Sequence, residues 1–306
     1  MRIKRLLFFI LSAQVFPVFC QNAETVIEAD FVIRDFFIQQ DSIIYIKKRD
    51  VHLYDIETKL SKDYFIGGYG LELITSKNTN QIITASNELV RNVSSVRFYN
   101  KETGKFDDVF YYKQGKILDF LLLPKSKLFI LSLTNKKIIF VDYQDKPRFY
   151  RTIELNLNTL SRKLINKDNK LYFATDQGDI FEYDYRNYEK KLIYRSKALI
   201  TDFKIENGIL VYANIDGEII KINLKTNQKE IINIKNTFIN TFMRFNNNTL
   251  VCGAWSGEVF IVTLDNFSVN KTYKLHKRAI IKIKKVENNI IYSSSLDKTL
   301  KKWFLN

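Results

Sequence analysis

Apolar and polar residues alternate along this chain in short runs, each closed by a polar turn of two to four residues. A period of two over such windows predicts half-buried β-strands, and no stretch beyond the first twenty residues sustains a helical period. The runs also recur as larger units. "IRDFFIQQDSIIYI", "ILDFLLLPKSKLFIL" and "ITDFKIENGILVYA" each place an aliphatic residue, a polar one, Asp and Phe before a turn and a second apolar run. Looser copies are "LELITSKNTNQIITA", "LSRKLINKDNKLYFA", "INTFMRFNNNTLVC" and "AIIKIKKVENNIIYS".

Taking the Asp position as a marker, the seven copies fall at Asp35, Glu72, Asp119, Arg162, Asp202, Thr241 and Lys282, about 41 residues apart on average. Within each unit a tight turn such as "NIDGE", "DQGD" or "LDKT" precedes a third strand, and a bend such as "NLKTNQ" precedes a fourth, more polar one. Four strands per unit at this spacing predict an all-β fold, a seven-bladed β-propeller of four-stranded blades. The last unit ends at "LKKWFLN" with only three strands, while "ETVIEADF" near the start is unclaimed. Pairing the two completes the last blade with the mature N-terminal strand and closes the ring.

The first twenty residues differ from the rest. "MRIKR" is basic, "LLFFILSAQVFPVF" is apolar but too short to span a bilayer, and "VFC" offers a cleavage site. Residues 1–20 therefore read as a signal peptide, leaving 21–306 as the propeller and a secreted or cell-envelope location, periplasmic or extracellular. Cleavage after Cys20 leaves Cys252 alone, so no internal disulfide is expected and "TLVCGAW" reads as a buried strand.

Loss of Arg2, Lys4 and Arg5 lowers the formal charge from +15 to +12, and ten of the remaining bases lie between Val269 and Asn306. Lysines at that density form solvated faces, and their field would attract an acidic protein or an anionic polymer. Lys298, Lys301 and Lys302 are the candidate residues for such binding. Nucleic acid is disfavoured, because an exported protein would seldom meet it and no stacking-aromatic motif accompanies the lysines.

The last unit resembles the WD-repeat family. His276 precedes its first strand, Ser293 and Ser295 lie on its second, Asp297 is in the turn, and Trp303 is on its third. The resemblance implies a structural hydrogen-bond network among these residues, a propeller fold, and a role in protein interaction. Elsewhere the motif fades: Ile222, Val262 and Tyr183 stand where the Trp would be, and no Gly-His pair occurs.

Catalytic patterns are sparse. The chain has two histidines, His52 and His276, neither at zinc-ligand spacing, and it has no Gly-x-Ser-x-Gly elbow. No cofactor or metal is expected. Asp35, Asp119 and Asp202, with Glu72, Arg162 and Lys282, would ring the upper mouth of the axial channel. That ring supports the alternative reading, an enzyme or a small-ligand or metal binder. The favoured reading is an exported, non-catalytic platform for another protein or an anionic envelope polymer, a monomeric propeller within a complex. Its upper face would bind, with Arg91 in the long second-unit turn and Trp255 in "GAWSGE" as contact residues.

Overall fold

The middle strand of each blade is buried almost throughout, whereas the outermost strand is largely exposed; that gradient follows the apolar and polar content of the runs. In the computed structural model these strands form seven four-stranded antiparallel sheets, with no α-helix among the described residues. The structure describes residues 23–47, 50–64, 71–78, 80–88, 93–123, 126–143, 150–185, 187–287 and 289–305. The segment read as a signal peptide, Cys20 and Arg91 lie outside them.

The first strand, β1, spans Glu24–Glu28. Blade 1 then takes β2 (Phe36–Gln39), β3 (Ser42–Lys47), β4 (Asp50–Asp55) and β5 (Ser61–Tyr64). Blade 2 has β6 (Leu71–Asn78), β7 (Gln81–Glu88), β8 (Val93–Asn100) and β9 (Lys105–Tyr112). Blade 3 has β10 (Ile117–Leu123), β11 (Leu128–Leu133), β12 (Lys137–Tyr143) and β13 (Tyr150–Asn156). In blade 4 are β14 (Ser161–Lys167), β15 (Lys170–Thr175), β16 (Asp179–Asp184) and β17 (Glu189–Arg195). Blade 5 has β18 (Ile200–Glu206), β19 (Ile209–Asn214), β20 (Glu218–Asn223) and β21 (Lys229–Asn233). In blade 6 are β22 (Ile239–Asn246), β23 (Thr249–Ala254), β24 (Glu258–Thr263) and β25 (Ser268–Lys274). Blade 7 has β26 (Ile280–Lys285), β27 (Ile290–Ser295) and β28 (Thr299–Phe304), and β1 is its fourth strand, antiparallel to β28.

The chain is thus a seven-bladed β-propeller closed by its own N-terminal strand. Its core is a ring of slabs between neighbouring blades. Ile44, Ile46 and Val51 of blade 1 meet Ile82 and Tyr99 of blade 2. Val251 and Ile261 of blade 6 meet Ile283, Ile291 and Trp303 of blade 7. The closing slab joins Ile27, Tyr292 and Leu300 of blade 7 to Ile33, Phe36 and Ile43 of blade 1.

Two local devices repeat. Six inner strands carry one extra residue near their start, at Glu72, Leu118, Arg162, Thr201, Asn240 and Ile281. Such a bulge re-aims the residues around it. The turn between second and third strands holds its last residue in the left-handed region, as at Gly257 (φ 86°) and Lys298 (φ 71°). A Cβ on Gly257 would lie 2.4 Å from the His276 carbonyl oxygen, so only glycine fits there. The Gly257 carbonyl accepts the His276 amide at 3.0 Å, and the Lys298 carbonyl accepts the Ala29 amide at 3.0 Å. The N-terminal strand is therefore anchored by the same bond that anchors an outer strand elsewhere in the ring.

Deleting residues 23–31 should strip β28 of its partner and open the closing slab. The expected outcome is a large drop in melting temperature with aggregation, partly reversed by adding a peptide of residues 23–31. An unchanged melt would show that closure contributes nothing.

Candidate functional site

The most connected polar cluster lies in blade 7. His276, buried ahead of β26, points Nδ1 at Asp297 Oδ2 (3.1 Å) and Nε2 at Ser293 Oγ (2.8 Å). Trp303 Nε1 donates to the same Ser293 oxygen at 3.2 Å. An indole only donates and a carboxylate only accepts, so one assignment satisfies the chain. Trp303 donates to Ser293, Ser293 to His276 Nε2, and His276 Nδ1–H to Asp297. The carboxylate also accepts from Thr299 Oγ1 (2.6 Å), Thr299 N–H (3.0 Å) and Lys277 N–H (2.8 Å). Ser295 binds one step away, donating to the Arg278 carbonyl and accepting from the Asp297 amide. Burial alone would raise the Asp297 pKa, but the bonds from His276, Thr299 and Lys277 outweigh it and hold the carboxyl well below its ordinary value.

A second cluster lies on the axis. Asp119 Oδ1 accepts its own neighbour's amide, Phe120 N–H (2.9 Å), while Oδ2 accepts Leu164 N–H of blade 4 (2.7 Å). Asp202 repeats this with Phe203 (2.9 Å) and Phe242 of blade 6 (2.8 Å). Each carboxylate therefore ties two blades together through backbone amides. Asp35 accepts Phe36 N–H at 2.9 Å and faces Lys284 Nζ at 3.3 Å and Lys282 Nζ at 3.6 Å across the closing junction.

Register changes the membership of this ring. Lys163 lies opposite Ala174, as Asp119 lies opposite Ser132 and Asp202 opposite Ala213. Lys163 therefore holds the axial position in blade 4, where spacing alone pointed to Arg162. Arg162 is the bulged residue and pairs outward with Asp176 (2.7 and 3.2 Å). In blade 2 Leu73 lies opposite Ala85, making Glu72 the bulged residue. The ring is consequently richer in lysine than the spacing implied.

Lys163 Nζ lies 3.2 Å from Asp202 Oδ1. Burial raises both carboxyls. At Asp202 the charges of Lys163 and Lys204 and the Phe242 amide reverse that effect, whereas Asp119, without a direct cation, stays above its ordinary value.

The third cluster is on the upper face. In blades 3 to 7 the first residue of the second-to-third-strand turn is held by an amide bond to the entry of its own blade, for example Ile215 to Leu199 O, Trp255 to Phe238 O and Leu296 to Ala279 O. Blades 5, 6 and 7 thus present three apolar side chains at equivalent positions. Trp255 is 52 % exposed and stacks on Phe238 with ring centroids 5.4 Å apart, and Ile215 is 49 % exposed. Beside Trp255 is a depression of about 400 Å³ lined by Val32, Arg34, Asn240, Ala279, Ile281 and Leu296. Only Trp255 of this group was legible as a candidate; the others emerge from the turn equivalence and the bulges.

The remaining candidates are dispersed. Lys298 is exposed in the turn, Lys301 Nζ donates to the Leu275 carbonyl (2.7 Å), and Lys302 lies over the Phe304 ring. Long pairing of β7 with β8, extending to Glu88 opposite Val93, absorbs most of the second-unit turn into strand. His52 is buried, stacks on Tyr45 and pairs with Asp63 at 2.5 Å. Burial pushes the Cys252 thiol pKa upward, consistent with an unreactive core residue.

No protein-family model matches the chain, and no curated protein matches it. Solved structures do. The crystal structure of the computationally designed Ika8 protein aligns with a TM-score of 0.67, covering 92% of this chain and 98% of that one at 12% identity. Identity that low speaks to fold alone.

Trp303→Ala should destabilise the chain by about 3–5 kcal/mol in denaturant melts, since a fully buried indole is removed. Asp297→Asn tests the network by pH. A carboxyl with a depressed native pKa contributes stability above its unfolded pKa and loses that contribution as pH falls towards the native value. The wild-type advantage over Asp297→Asn should be full at pH 7 and shrink below about pH 4. A difference independent of pH would mean the ionised carboxylate contributes no stability.

Proposed function

We propose that the chain is an exported, non-catalytic propeller of the WD-repeat type whose upper face docks another protein. The observation that carries this reading is Trp255: a large, half-exposed indole stacked on Phe238 beside a largely apolar depression. Preorganised aromatic anchors next to a pocket are the residues that dominate protein interfaces. The basic side chains around blade 7's upper rim, Lys277, Arg278 and Lys298, are exposed. An apolar anchor with a basic rim fits a partner segment that carries an apolar side chain flanked by carboxylates. An anionic envelope polymer would use the rim but leave the apolar arc of Ile215, Trp255 and Leu296 unused.

Three features support the rest of the reading. The His276–Ser293–Asp297–Trp303 chain is what the WD-repeat resemblance implies. The axial carboxylates are engaged by backbone amides and lysines, which favours a structural role over acid–base chemistry. No helix among the described residues is long and apolar enough to cross a membrane, and the basic-then-apolar start supports export by cleavage.

Capture from the native envelope fraction with wild-type protein and with Trp255→Ala tests the docking face. The variant should melt as the wild type does yet retain at least tenfold less of the specific partner, and Lys298→Glu should weaken binding further. Undiminished capture by Trp255→Ala would overturn the upper-face assignment. Export is tested separately by fusing residues 1–30 to alkaline phosphatase, which should become active only outside the cytoplasm.

A further inference from the structure

Inner strands β14, β18, β22 and β26 line an open cavity of about 550 Å³ beside the carboxylate ring. Six basic side chains reach it: Lys163 from β14, Lys204 from β18, Arg244 from β22, and Lys282, Lys284 and Lys285 from β26; Glu206 is the one acid among its lining residues. Most of these charges are engaged. Lys163 pairs with Asp202, Lys284 with Asp35, and Arg244 with Glu206, while Lys285 donates to the Phe245 carbonyl. Lys204 has no hydrogen bond or ion pair among the described residues. Among the described residues Lys282 reaches only the distant Asp35 oxygen at 3.6 Å, and a third of its side chain remains exposed. Burial lowers the Lys204 pKa, and the charges of Lys163 and Lys282 push it lower still against the opposing pull of Asp202.

A solvent-open excess of neighbouring ammonium groups is a site for a multivalent anion, which would relieve their repulsion. Ammonium groups are compact point charges that converge on a tetrahedral oxyanion, whereas bidentate recognition of a planar carboxylate favours guanidinium. The cavity is larger than a phosphate ion, and Phe242, Met243 and Ile283 give it an apolar wall for an organic remainder.

We propose that the axial channel binds a phosphate-class anion through Lys204 and Lys282, with Lys163 and Lys284 as supporting charges. The site is separate from the upper-face arc around Trp255. Purified protein is titrated by calorimetry and thermal melts with inorganic phosphate, pyrophosphate and glucose 6-phosphate, at ionic strength held constant with chloride. At least one of the three should bind saturably and raise the melting temperature; which one binds tightest separates a free phosphate from a phosphate ester. Lys204→Gln and Lys282→Gln should each weaken binding at least tenfold, and the pair should abolish it. Without anion, Lys204→Gln should melt no lower than wild type, since burial and the repulsion of Lys163 and Lys282 together outweigh the attraction of Asp202 for the ammonium. Lys282→Gln alters a partly exposed side chain and supplies an independent folded variant. No saturable binding of any probe, or equal affinity in both variants, overturns the proposal. A lower anion-free melt for Lys204→Gln would likewise overturn it, by showing that the ammonium is a structural partner.

Discussion

A twisted four-stranded sheet with two apolar faces can bury them only by acquiring a neighbour on each side. In this protein that constraint governs everything else. Burial of Ile82 and Ile83, adjacent on one strand, requires blade 1 on one side and blade 3 on the other. No blade is complete as a folding unit, because each shares its apolar slabs with its neighbours. Closure by β1 is therefore more than a topological detail. It converts an exposed strand edge and an exposed apolar face into interior, and the Ala29–Lys298 bond places it in register with the other blades.

The same constraint creates the polar problem at the axis. Seven inner strands converge there, and their starts bring backbone amides into the junctions between blades, where Asp35 and Asp202 are buried. Asp119 and Asp202 answer it by accepting one amide from their own blade and one from the next. Buried carboxylates are costly without compensation, and lysines supply it at two junctions: Lys163 to Asp202, Lys284 to Asp35. Carboxylate staples and lysine–carboxylate pairs thus succeed one another around part of the ring. The lysines outnumber the carboxylates they serve, and that surplus gives the channel its positive interior.

Much of the fold was legible because its signals are periodic. The Asp-Phe copies, the second-strand apolar runs and the missing fourth strand of the last unit all express strand alternation and blade count. The site was legible in part. His276, Ser293, Asp297 and Trp303 could be singled out because their spacing along one unit is short. Lys163 could not, because a β-bulge adds a residue without leaving any mark in composition, and one residue of shift exchanges it for Arg162. The upper-face arc was hidden for a different reason. Ile215, Trp255 and Leu296 share a turn position, but their chemistry differs from unit to unit, and only the common amide bond to the blade entry reveals the equivalence.

Position in the blade explains why divergence is tolerated in some places and binding can arise in others. At the slab position filled by Trp303, the other blades substitute Tyr183, Ile222 or Val262, all buried, because any apolar residue of suitable volume fills a slab. Polar satisfaction is less forgiving, so each blade carries its own local solution: Asp179 with Arg195 in blade 4, Asn214 with Glu218 in blade 5, Ser256 with Glu258 in blade 6. The first residue of the neighbouring turn has neither obligation. Its backbone is fixed by the amide bond while its side chain faces solvent, so an indole can stand there in blade 6 and an isoleucine in blade 5 without disturbing the slab below. A rigid scaffold with a freely variable side chain at each turn is the physical basis on which a propeller face acquires a partner.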